Sequence, residues 1–105
     1  MFDYFITFRI SDKTIKGLTY ENRRQSLIDA AKKAGGGYWE ETTSFILTQS
    51  PLHTAPFTQS LSKKLSHNHD LIVVFDPSDM SSCYFGNLEY IAVLKSFFPQ
   101  LKKCP

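Results

Sequence analysis

The run Leu71-Ile72-Val73-Val74-Phe75 constrains this chain more than any other stretch. It is continuously apolar and rich in β-branched residues, so it describes a strand buried on both faces. Asp76-Pro77-Ser78-Asp79 follows it with turn chemistry.

A second strand lies at the start. In Phe2–Ile10, Tyr4, Ile6, Phe8 and Ile10 fall on one face by period two, and Phe5, Thr7 and Arg9 on the other. Thr19 is a candidate N-cap for a helix over 20–34. Tyr20, Arg24, Leu27, Ile28, Ala31 and Ala34 make its inner stripe, and Arg23, Asp29, Lys32 and Lys33 face water. Gly35-Gly36-Gly37 ends it. Tyr38–Glu41 and Ser44–Gln49 read as strands. Thr54 caps a second helix with Pro56 in its first turn and Phe57, Leu61 and Leu65 inward. After Leu71–Phe75, a short strand at Cys83–Phe85 precedes a third helix capped by Asn87. Leu88, Ile91, Leu94 and Phe98 are its inner stripe, and Pro99 stops it.

The order is β-α-β-β-α-β, then a short extra strand and a C-terminal helix. This is an α+β chain on the ferredoxin-like split βαβ plan. Two helices cover one face of an antiparallel sheet. The open face draws on Phe5, Thr7, Arg9, Ser44, Ile46 and Thr48, and a dimer partner, the terminal helix or a ligand is expected to cover it. At 105 residues the chain is a single domain, 1–105. No apolar run approaches the ~20 residues of a membrane span, and MFDYFITF lacks a basic leader, so no membrane is expected. Two cysteines, Cys83 and Cys104, make no disulfide framework, and a cytoplasmic setting is the expectation.

Net charge is only +2, but it is uneven. Residues 9–33 carry seven basic and three acidic side chains, and 34–105 carry five and six. Such a bias attracts phosphates, although a solvated helix face gives the same pattern. No Walker loop, dinucleotide fingerprint, C-x-x-C or H-E-x-x-H occurs, and the RNP run of an RNA-recognition domain is absent. His67 and His69 flank Asn68, and on an extended segment they point the same way and could share a metal. His53 is isolated. Asp12, just past the first strand, could hold Mg²⁺ between two subunits, since that ion needs one or two carboxylates; an ordinary turn Asp is the competing reading. Asp76 and Asp79 form a second oxygen-rich loop. Glu40 and Glu41 alternate across a strand and cannot act as a pair. Trp39 is core, interface or a stacking surface, and Cys83 packs.

The string RRQSLIDAAKKAGGGYWEETTSFIL, residues 23–47, with the strand Asp70–Phe75, resembles the small ferredoxin-like proteins of bacterial defence. These include the VapD-type and GhoS-type endoribonucleases and the small CRISPR spacer-acquisition subunit. The likeness covers roughly residues 1–90, by topology and spacing more than identity. In that family an acid follows the first strand, and Asp12 is the matching residue here, two positions past Ile10.

The resemblance implies a small dimer that binds or cleaves RNA in a toxin–antitoxin or defence setting. Asp12 would bind metal or take a proton, and Arg9, Arg23 and Arg24 would hold phosphates. The alternative is a non-catalytic interaction module, an inhibitor or assembly subunit, using the open face or an edge strand for a protein partner. A ligand-sensing regulator is a third reading, without its expected glycine-rich loop. Convergence or dispersal of the three arginines separates the first two readings.

Overall fold

The computed structural model describes all of residues 1–105. Its elements in chain order are β1 (Phe2–Arg9), α1 (Tyr20–Lys32), β2 (Tyr38–Trp39), β3 (Phe45–Ser50), α2 (Thr54–Leu61), β4 (Leu71–Phe75), β5 (Ser82–Gly86), α3 (Ile91–Phe97) and β6 (Leu101–Lys103). They form one six-stranded sheet in the order β2-β3-β1-β4-β5-β6. Neighbours run antiparallel except the last pair, β5 and β6, which are parallel and joined through α3. The chain is therefore α+β with a mixed sheet.

The alternation in β1 decides the layering. Tyr4, Ile6 and Phe8 point to the side covered by α1 and α2 and are buried there with Leu27, Ile28, Ala31, Phe57, Leu61 and Leu65. Ile46, Ile72 and Val74 join from the neighbouring strands. At ~25 cal/mol per Å² of apolar surface removed from water, these side chains supply most of the hydrophobic stabilisation. α1 starts where expected. Thr19 Oγ1 accepts from the Asn22 backbone N–H at 3.1 Å, and the Thr19 N–H donates back to Asn22 Oδ1 at 3.1 Å. This reciprocal box satisfies two otherwise orphaned donors.

β4 is covered on both faces, as its composition requires. Its second cover is α3, which packs Leu88, Leu94 and Phe98 against Leu71, Val73, Tyr84 and Leu101. α3 reaches only the β4–β6 part of that face.

Several expectations are corrected. β3 has the opposite parity: Ile46 and Thr48 lie on the helix-covered side, and Phe45, Leu47 and Gln49 on the other. The cause is the register with β1, which sets Ile46 opposite Ile6 and Thr48 opposite Tyr4 and so gives them the helix-covered face. β2 is two residues long, so Glu40 and Glu41 lie outside it. His53, not Thr54, occupies the N-cap position of α2, without a side-chain cap bond. Ile91 is exposed rather than inward. A sixth strand follows Pro99, where a helix alone was expected to end the chain.

Candidate functional site

The most heavily engaged polar group is Arg23. It was expected in water, yet it is 1% exposed and pairs with Asp70, which is 0% exposed. Its Nε donates to Asp70 Oδ2 at 3.0 Å. Its Nη1 donates to the carbonyls of Lys13 and Leu18 at 2.9 and 2.7 Å, and its Nη2 to that of Ser11 at 2.6 Å. Asp70 in turn accepts the backbone N–H groups of Ser11 at 2.8 Å and Ser66 at 2.7 Å. The pair thus ties the 11–18 loop to the 66–69 turn. Buried charges survive only when paired and hydrogen-bonded this fully. Gly86 locks the same corner. Its φ is +111°, and a Cβ there would meet the Asp70 carbonyl oxygen at 1.9 Å.

The other two arginines lie elsewhere. Arg9 is exposed at the end of β1, on the sheet face opposite α1, and donates to the Asn87 carbonyl at 3.3 Å. Arg24 stands over the Phe8 ring on the α1 side, 5.9 Å from its centroid, and reaches Glu40 at 3.6 Å. The three guanidiniums therefore do not converge, and Arg23 is a structural clamp. The expected three-arginine phosphate grip is not formed, because the sheet separates Arg9 from Arg24 and Asp70 sequesters Arg23.

Asp12 is exposed in the loop after β1. No three His, Cys, Asp or Glu side chains gather anywhere in the fold as a metal-binding group. Asp12 thus offers a single carboxylate from this chain, and an Mg²⁺ there would need oxygen ligands from a second molecule. His67 and His69 are not on an extended segment. Residues 66–69 form a turn closed by the His69 N–H to the Ser66 carbonyl at 3.2 Å. His67 lies edge-on to Phe85 at 5.6 Å, and His69 Nδ1 pairs with Ser66 Oγ at 2.9 Å. The side-by-side metal pair is thereby replaced.

The 76–81 loop uses its oxygens on itself. Asp76 Oδ1 accepts from the N–H and hydroxyl of Ser78, and Asp79 Oδ1 from the Ser81 N–H. The backbone bond from Ser81 holds the Asp79 carboxyl below its usual range. Cys83 and Cys104 are both free and buried. Burial pushes the Cys83 thiol up to about 11, with the Cys104 thiol adding to the shift. That opposes a nucleophilic role.

The uncovered part of the sheet carries an aromatic row that the shifted β3 parity creates. Trp39, Phe45, Phe5, Phe75 and Phe98 follow one another across β2, β3, β1 and β4 to the foot of α3, with centroid spacings of 6.5, 5.9, 5.0 and 4.8 Å. Beside the row lies a shallow hollow of about 340 Å³ lined by Phe5, Trp39, Leu47 and Pro77. α3 is apolar on its outer side too: Tyr90, Val93 and Phe97 are 69, 58 and 72% exposed. Sequence reasoning anticipated Phe5 on this face but not Phe45 and Leu47, whose parity follows from their pairing with Thr7 and Phe5 of β1.

No protein-family model, no curated protein and no solved structure matches this chain. No helix is long and apolar enough to cross a membrane.

Proposed function

We propose that this protein is a non-catalytic interaction module that pairs with a second copy of itself through the uncovered sheet and α3. The reading takes the β2-β3-β1-β4 order as the ferredoxin-like split βαβ plan, with β5, α3 and β6 appended. The observation that carries it is the five-ring row left half open beside a helix that turns Tyr90, Ile91, Val93 and Phe97 outward. A seven-residue helix is marginal alone, and one with an apolar outer side belongs under cover. Charge favours a second copy as the cover. The open half of the face carries Asp3 and Glu41 against Arg9, and the α3 half carries Lys95 and Lys103 against Glu89. A two-fold axis between the halves sets the acidic side of each copy over the basic side of the other. Free buried thiols suit a reduced, cytoplasmic setting.

Sedimentation velocity over a concentration series tests this. A dimer that Phe97→Asp dissociates, with the circular dichroism spectrum unchanged, supports the reading. A monomer at every concentration, or a dimer indifferent to Phe97→Asp and to Trp39→Ala, refutes it.

A second reading keeps the nucleic-acid role, as an RNA-binding protein or endoribonuclease of a toxin–antitoxin or defence system. It is favoured by a cavity between the 11–18 loop and the 66–69 turn, whose lining includes Lys16, Lys64, His67 and His69 and no carboxylate. RNA incubated with Mg²⁺ and with EDTA, beside Asp12→Ala, decides whether that end cleaves. Cleavage by the wild type alone supports this reading, and no cleavage and no RNA retention refutes it.

A further inference from the structure

The Arg23–Asp70 clamp holds two loops apart as well as together. Between them lies a cavity of about 320 Å³, near the lower end of the ~300–1,000 Å³ typical of ligand pockets. Its polar lining is Lys16, Arg23 and Lys64 with the whole of the Ser66–His69 turn, Asn68 included, and no carboxylate lines it. Asp70 is buried and bonded to Arg23. Leu18, Leu65 and Phe85 form apolar wall, which strengthens the field of the cations around the space.

The geometry of each wall is set by the backbone. Ile15 and Leu18 exchange two hydrogen bonds of 2.9 Å, closing a two-residue turn with Lys16 and Gly17 at its tip. Both tip residues have positive φ, 49° and 79°. Glycine is the ordinary occupant of such a position, but lysine takes the first one, which sets an exposed Lys16 at the rim of the cavity. The opposite wall is the 66–69 turn, anchored by the Ser66 N–H on Asp70. Arg23 also lines the cavity, but four of its five N–H donors are engaged and its charge is paired with Asp70, so Lys16 and Lys64 are the cations there without a carboxylate partner. The Asp70 carboxylate fixes Arg23 in place before any ligand arrives, which lowers the cost of ordering it on binding.

We infer that this cavity binds a phosphate monoester, such as a nucleoside monophosphate or the 5′-phosphate end of an oligonucleotide. Two ammonium groups and two imidazoles around one cavity suit a compact dianion with several acceptor oxygens better than a single carboxylate. The site is independent of the sheet-face pairing, because it lies between the two loops and not on the aromatic row. It would give the nucleic-acid reading a contact that the three arginines do not provide.

The test is titration of the ¹⁵N-labelled full chain with inorganic phosphate, adenosine monophosphate, adenosine, and one short RNA bearing either a 5′-phosphate or a 5′-hydroxyl. Isothermal titration supplies the affinities. Shifts are expected at Lys16, Lys64 and His67–His69 with phosphate and the monophosphate, and none there with adenosine. Lys16→Ala and Lys64→Ala alter exposed side chains and leave the clamp intact. Each is expected to weaken the monophosphate by about tenfold, and the pair to abolish binding. Preference for 5′-phosphorylated over 5′-hydroxyl RNA assigns the oligonucleotide end as ligand. Equal, weak binding of the two RNAs with retained monophosphate binding assigns the free nucleotide. No shift at these residues with millimolar phosphate or monophosphate overturns the inference, as does binding that survives the double variant. Phe97→Asp should leave every one of these affinities unchanged, so failure of the cavity and failure of the sheet face are read separately.

Discussion

The two faces of the sheet solve the same problem to different depths. On one, α1 and α2 lay Leu27, Ile28, Ala31, Phe57 and Leu61 over three central strands and leave no apolar side chain of that layer in water. On the other, α3 supplies Leu94, with Leu88 and Phe98 beside it, over β4 to β6 and turns Tyr90, Val93 and Phe97 outward. The first face is finished within the chain. The second buries Val73, Tyr84 and Leu101 under the α3 segment and leaves Trp39, Phe45 and Phe5 partly open. The difference separates a side that specifies the fold from a side available for association.

Four measurements sharpen or break that contrast. The largest effect belongs to the clamp behind the closed face. Arg23→Ala leaves Asp70 buried without its cation and should cost about 3–5 kcal/mol in urea denaturation, whereas Arg24→Ala next to it should cost less than about 1 kcal/mol. Equal costs for the two would remove the clamp. Next comes cavity formation. Ile46→Ala on the closed face should lose about 2–5 kcal/mol, and Leu94→Ala, under the partial cover of α3, should lose less than half of that. A Leu94→Ala loss as large as that of Ile46→Ala would show the second face to be as fully built as the first.

Third is the response to alkali. The Cys83 thiol is raised to about 11 in the fold from 9.0. Above pH 9 the unfolded chain releases this proton while the folded chain keeps it, so stability falls as pH rises from about 9 towards 11. Cys83→Ala should flatten that part of the pH–stability curve, and an unchanged slope would mean the thiol does not sense its burial. The smallest effect is Phe97→Ser, expected within about 0.5 kcal/mol of wild type when measured on the dissociated chain. A loss well beyond that would mean Phe97 supports the monomer rather than an interface.

Much of the architecture was written locally. The Leu71–Phe75 run, the alternation of Phe2–Arg9 and the Thr19 cap each act over a few residues, and each forms as expected. What stayed hidden depends on distant partners or single dihedrals. Helical periodicity put Arg24 on the inner stripe and Arg23 in water, and nothing near Arg23 announces an aspartate 47 residues away. The aromatic row was missed because the face of each β3 residue is set by its register against β1, which the local pattern does not give. β6 was missed because three residues after a proline carry too little pattern, and its existence rests on pairing with β5. The expected phosphate contacts failed for a related reason: a tally of charge along the chain does not say on which side of a sheet each cation emerges.

The lengths of the outermost strands carry one more consequence. β2 has two residues and β6 three, the latter ending in Lys102-Lys103 before Cys104-Pro105. So little free ladder at either border gives an incoming foreign strand almost nothing to template on, and the lysines and proline discourage it further. Runaway fibrillar growth, the ordinary hazard of an aromatic-rich sheet, is closed off at both margins. The pairing proposed above would instead stack two copies across the flat of the sheet, and two-fold symmetry would stop it after a single step.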